Sequence, residues 1–152
     1  MKYVHTNIIA RDWRSLAQFY INVFECQLVP PERDLHGEWA DQLSGINNVR
    51  IRGAHLRLPG YTDGPTLEIF QYEPEAESEN EPAVNRPGYS HLAFEVDSVE
   101  AVLDKLLQHG GKRAGELIHN QVPGVGTLTA VYARDPEGNI IEIMHWDKDS
   151  FA

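Results

Sequence analysis

The 152 residues suit one domain or two fused half-domains, and 41% hydrophobic and 24% charged residues are ordinary values for a globular protein. No apolar run approaches the ~18–20 residues of a membrane span. A net charge of −10 with scattered basic residues argues against nucleic acid or anionic membrane as partners, and the single cysteine, Cys26, excludes an internal disulfide framework and a CxxC site.

The N-terminus, MKYVHTNII, has no signal-peptide layout and reads as a strand, so the expected compartment is the reducing cytoplasm. The strand runs over Tyr3–Ala10. Asp12 is the expected N-cap, and Leu16, Phe19, Tyr20, Val23 and Phe24 follow at helical spacing. Strand-like segments come next at 26–30, 49–58 and 65–73, and the polar, turn-rich stretch 30–48 reads as an inserted loop. Arg50, Arg52 and Arg57 are expected to be solvated strand arginines. The acidic, proline-bearing stretch 74–87 reads as a linker.

The pattern then starts again. Tyr89–Val96 predicts a strand, and Asp97-Ser-Val-Glu100 predicts a capping box. Val99, Val102, Leu103, Leu106 and Leu107 form the apolar stripe of a helix that stops at Gly110-Gly111. Strands are expected at 112–119, 127–134 and 139–146, with the turn DPEGN at 135–139 joining the last two. The expected fold is α+β: a module over 1–73 and a module over 88–147, each β-α-β-β-β, forming a single domain over 1–152.

The two modules share an anomaly. GPTLEIFQY and GNIIEIMHW each place a glutamate, Glu68 and Glu142, inside an apolar strand. VHTNIIARD and SHLAFEVDS each place a histidine, His5 and His91, near the start of the module. Strand alternation puts both glutamates and His91 on the face opposite the helices, among Phe70, Tyr72, Ile140, Met144 and Trp146. An ionised carboxylate in such a lining costs several kcal/mol unless something neutralises it. A lone strand histidine is more often a hydrogen-bonded core residue than a ligand. Four donors repeated in register favour a shared divalent cation, which takes imidazole nitrogen and carboxylate oxygen readily. His36, His55, His109, His119 and His145 have no repeated partner and are expected to be structural.

The duplication, the His–Glu–His–Glu order and the DPEGN turn resemble the vicinal oxygen chelate superfamily. Glyoxalase I, methylmalonyl-CoA epimerase, extradiol dioxygenases and fosfomycin or bleomycin resistance proteins belong to it. The resemblance covers nearly the whole chain. It implies curved mixed sheets forming a cup around one divalent ion (Ni, Zn, Co, Mn or Fe(II)), with His5, Glu68, His91 and Glu142 as ligands. It also implies a homodimer and a small-molecule substrate that chelates through vicinal oxygens. One glutamate would act as the base, Glu142 first and Glu68 as the alternative.

The ligand pattern is closest to glyoxalase I, a lactoylglutathione lyase, and implies a metal-dependent lyase or isomerase. Extradiol dioxygenases use two His and one Glu, and epimerases of the methylmalonyl type carry Gln where Glu68 stands. A non-catalytic binding or resistance protein is the reading from another class. Glyoxalase I usually has Arg four residues after the first His, where this chain has Ile9. It often has Asn four residues after the first Glu, where this chain has Tyr72. Those departures, with Trp39 and the aromatic Phe70, Tyr72 and Trp146, point to a more apolar substrate than a glutathione adduct.

Overall fold

β1 (His5–Ile9) forms where one buried residue, Ile8, sits between exposed neighbours. The computed structural model describes residues 1–77 and 81–148. Asp12 caps α1 (Trp13–Phe24) by accepting from the amides of Arg14 and Ser15, each at 3.1 Å. All five residues of the expected stripe, from Leu16 to Phe24, are buried. β2 (Gln27–His36), β3 (Arg50–Arg57) and β4 (Thr66–Glu73) complete a sheet in the order β1-β4-β3-β2. β1 runs parallel to β4, and the other pairs are antiparallel. α1 lies on one face, where Ala54, Leu56, Leu67 and Ile69 are wholly buried. At about 1.5–3 kcal/mol for each large side chain, such residues supply most of the driving force.

The stretch 30–48 is not a loop. β2 bulges between Val29 and Arg33, then resumes pairing with β3 as far as His36. The chain next forms a short helix, α2 (Glu38–Ser44), bracketed by Gly37 (φ 96°) and Gly45 (φ 72°). Asp41 ties the return by accepting from the amides of Asn48 and Val49, both at 2.9 Å. Ala40 is wholly buried with Val49, Ile51 and Phe70, and Leu35, Ile46 and Tyr72 border them. This second small core lies on the sheet face away from α1. It exists because Ile51 and Phe70 alternate out of phase with Leu56 and Ile69.

The second unit repeats the plan. β5 (His91–Glu95) leads to α3 (Val99–Gln108), whose cap is Ser98 rather than Asp97. Its hydroxyl accepts from the Ala101 amide at 3.2 Å. Val99, Leu103 and Leu106 are buried, whereas Leu107 is exposed, outside the stripe expected of it. The expected strand 112–119 is two pieces, β6 (Lys112–Arg113) and β7 (Ile118–Val122). Both pair with β8 (Gly126–Arg134), and between them the amides of Ala114 and Gly115 both donate to the Tyr132 carbonyl. That is a bulge, which breaks the ladder without ending the edge. β9 (Ile140–Asp147) lies between β8 and β5.

The turn before β9 forms as expected. Asp135, 1% exposed, accepts from the amides of Glu137 and Asn139 and from the Asn139 side chain. Contacts divide the chain into units over 1–79 and 80–152, and the described residues between β4 and β5 carry no helix or strand. Among the described residues no helix is long and apolar enough to cross a membrane.

Candidate functional site

Because Leu67 and Ile69 turn under α1, Glu68 takes the opposite face of β4, where it is 8% exposed. Its neighbours come from both flanking strands. Asn7 of β1 and His55 of β3 stand directly beside it in register, and His5 stands beside Thr66. His5 Nε2 lies 3.3 Å from Glu68 Oε2, and Asn7 Nδ2 donates to the same oxygen at 3.1 Å. His55 Nε2 lies 2.9 Å from Oε1. Three nitrogens therefore surround a carboxylate that has been taken out of water, which offsets its desolvation.

The other ring nitrogen of His55, Nδ1, is 3.0 Å from the Thr66 hydroxyl. Burial is the main influence on His55 and lowers its pKa from the ordinary histidine value. Arg33 and His5 act in the same direction, and Glu68 opposes them. The ring is therefore neutral at pH 7. The matching tautomer has Nε2–H donating to Glu68 and the Thr66 hydroxyl donating to Nδ1.

The second unit places its pair in equivalent register. His91 stands beside Ile140, two residues before Glu142, as His5 stands beside Thr66, two before Glu68. His91 Nε2 lies 3.2 Å from Glu142 Oε2, and its Nδ1 is 3.2 Å from the Ser90 hydroxyl. The surroundings differ, however. Ala93 replaces Asn7, and Tyr132 replaces His55, with its ring edge-on to His91 at 5.2 Å. Glu142 is also more open than Glu68, with side-chain exposures of 21% and 10%.

The structure thus brings His5 to Glu68 and His91 to Glu142, each inside its own unit. His55, expected to be structural, is hydrogen-bonded to Thr66 and lies against Glu68, so it joins the first unit's His–Glu cluster. The test of a duplicated histidine could not find it, since its counterpart is Tyr132. His109, His119 and His145 do have local partners: the Lys105 carbonyl, the Thr129 hydroxyl and the Val96 carbonyl. Phe70 is not open lining but part of the core under α2. Arg50 and Arg52 are paired with Asp34 and Glu73 rather than simply solvated.

A divalent ion fits this donor chemistry. The first unit sets Nε2 of His5 and of His55 against Glu68, the second sets Nε2 of His91 against Glu142, and His91 has its Nδ1 beside the Ser90 hydroxyl, the kind of support that orients a metal-binding imidazole. Among the described residues no group of three or more His, Cys, Asp and Glu side chains is set to hold a metal.

The model of the Glyoxalase/Bleomycin resistance protein/Dioxygenase superfamily matches residues 2–143. The chain belongs to this superfamily. Solved structures of the same fold include a glyoxalase family protein from Bacillus cereus, 21% identical with a TM-score of 0.75, over 96% of this chain and 93% of that one. A glyoxalase/bleomycin resistance protein/dioxygenase family enzyme from Burkholderia phytofirmans is 17% identical (TM-score 0.62), over 96% and 99% of the two chains. A domain of the superfamily from Frankia sp. is 19% identical (TM-score 0.60), over 96% and 98%. None of the curated proteins compared with the chain matches it. At these identities the glyoxalase-superfamily structures establish the fold, and the reaction must be argued from the site.

Proposed function

We propose that the protein is a metal-dependent lyase or isomerase of glyoxalase type acting on a small oxygen-bearing molecule. One observation carries the reading: twice, in equivalent register, an edge-strand histidine presents Nε2 to a glutamate oxygen, at 3.3 and 3.2 Å. His5, Glu68, His91 and Glu142 would supply the donors. A bound divalent ion acts as a Lewis acid on substrate oxygens. The chain's own groups divide the remaining work. Glu68, braced by Asn7, His5 and His55, is held as a fixed carboxylate. Glu142, with one imidazole partner and more exposure, is the group with room to accept a proton from the carbon beside the chelated oxygen. His91 orients its carboxyl group, and α2 with its small core closes one end of the first unit's site face to water.

The test is metal-stripped protein reloaded separately with Ni, Zn, Co, Mn or Fe(II). It would be offered methylglyoxal with glutathione and, separately, glutathione-free 2-oxo and 2-hydroxy carbonyl compounds in D₂O. Metal-restored isotope exchange or turnover, reduced about 10²–10⁴-fold in Glu142→Gln, is the expected outcome. Oxygen uptake with catechols would move the assignment to a dioxygenase. Failure to bind any divalent ion would leave a sequestering role.

A further inference from the structure

Four arginines of the first unit are paired with carboxylates. Arg11 lies 3.5 Å from Glu75, Arg14 lies 2.8 Å from Glu32, Arg50 lies 2.7 Å from Asp34, and Arg52 pairs with Glu73. Arg57, which is exposed, is not so paired, and neither is Arg33. Among the described residues its guanidinium bonds only to the Pro31 carbonyl of its own strand. It is also half-buried, in a chain whose net charge is −10. A half-buried cation in an acidic chain that has not been given a carboxylate is available to an external one.

Its position says where. From Val29 to Arg33, β2 spans four residues while β3 moves only two, from His55 to Gly53. The bulge absorbs the two extra residues and returns Arg33 to the face that carries Val29 and His55. Opposite Arg33 stands Gly53, whose missing side chain leaves a place that the Phe70 ring fills, with Cδ1 2.3 Å from where a Cβ would stand. Arg33 therefore lies on the Glu68–His55 face, one pair along from His55. It is close enough for its charge to act on that ring.

We propose that Arg33 is the specificity residue for an oxyanion of the substrate, a carboxylate or a phosphate monoester, held while the rest of the molecule reaches Glu68 and His55. Gly53, the partner of Arg33, and His55 stand one step of two residues apart on β3, roughly 6–7 Å between backbone positions, so the expected ligand is a small organic acid or its phosphorylated relative. The inference rests on the reading that this face is a small-molecule site, and it does not depend on the metal. Arg57, on the other side of His55, is the natural comparison. It is exposed, and its nearest polar partner is Gln27 at 3.5 Å.

Full-length, metal-free protein titrated with malonate, inorganic phosphate and uncharged malonamide, followed through the arginine Nε–H resonances, tests the proposal. Malonate or phosphate shifts the Arg33 signal saturably, and the tighter of the two names the oxyanion; malonamide leaves it unmoved. Arg33→Gln weakens the anion at least tenfold, Arg33→Lys restores part of the loss, and Arg57→Gln changes it less than twofold, all three with an unaltered melting temperature. The proposal falls if neither anion binds, if Arg33→Gln binds as well as the native chain, or if Arg57→Gln causes the loss. Because no metal is present, failure here leaves metal-dependent turnover to stand or fall separately, and absence of turnover leaves an anion site at Arg33 intact.

Discussion

Glu68 and Cys26 are both buried groups whose charged forms are costly, and the chain treats them differently. Glu68 is given three nitrogen partners. Cys26, 2% exposed at the end of α1, is given an apolar site, and burial pushes its thiol up to about 12 from 9.0. The consequence for stability has a definite sign. Between those two values the unfolded chain has lost the thiol proton while the folded chain keeps it. Stability contributed by the neutral thiol is therefore complete below pH 9 and is lost as pH rises toward 12. The slope approaches ~1.4 kcal/mol per pH unit at its steepest. Urea unfolding of the native chain and of Cys26→Ala at pH 8.5, 9.5 and 10.5 should show the native chain losing stability faster. Parallel curves would mean that the thiolate is tolerated in place.

At the scale of elements, legibility tracks length and repetition. α1 and α3 are readable because each carries several apolar residues at a 3.6-residue period, and the β4 and β9 strands are readable because their sequences echo each other. α2 is not, because seven residues with one buried side chain, Ala40, offer no period to detect. The β2 extension is hidden for a related reason: Pro30, Pro31 and Glu32 read as turn formers, and only pairing with β3 makes a strand of Arg33, Asp34, Leu35 and His36. At the site, the repeated His–Glu pattern exposes four residues but conceals His55, whose role comes from standing beside Glu68 across the hairpin.

The same element-level packing makes a prediction. A Cβ at Gly53 would stand 2.1 Å from the Ile69 carbonyl oxygen and 2.3 Å from Phe70 Cδ1. Neither can yield, since one is backbone and the other is locked under α2. Gly53→Ala should cost about 1–3 kcal/mol, a fall of roughly 2–12 °C in melting temperature. Gly115→Ala, whose added Cβ meets nothing nearer than 4.0 Å, should stay within about 0.5 kcal/mol. Equal melting temperatures for the two variants would show that the β3–β4 face is looser than its geometry indicates.

For the molecule as a whole, duplication has preserved the scaffold and let the decoration diverge. Both units keep a helix-covered sheet and a His–Glu pair in matching register, yet the residues beside the two carboxylates differ: Asn7 and His55 in one, Ala93 and Tyr132 in the other. Divergence of this kind suits two carboxylates with different tasks, whether the two pairs serve one ion or each its own. Binding linkage separates the two cases. An ion that binds only the folded chain adds about 2.7 kcal/mol at a hundredfold excess over its Kd, or roughly 5–11 °C for a chain of this size. With one ion served by all four donors, the double variants His5→Ala/Glu68→Ala and His91→Ala/Glu142→Ala should each lose the whole of that gain, and native stoichiometry should be one ion per chain. If either double variant keeps part of the gain, and native protein takes up two ions, the pairs act separately.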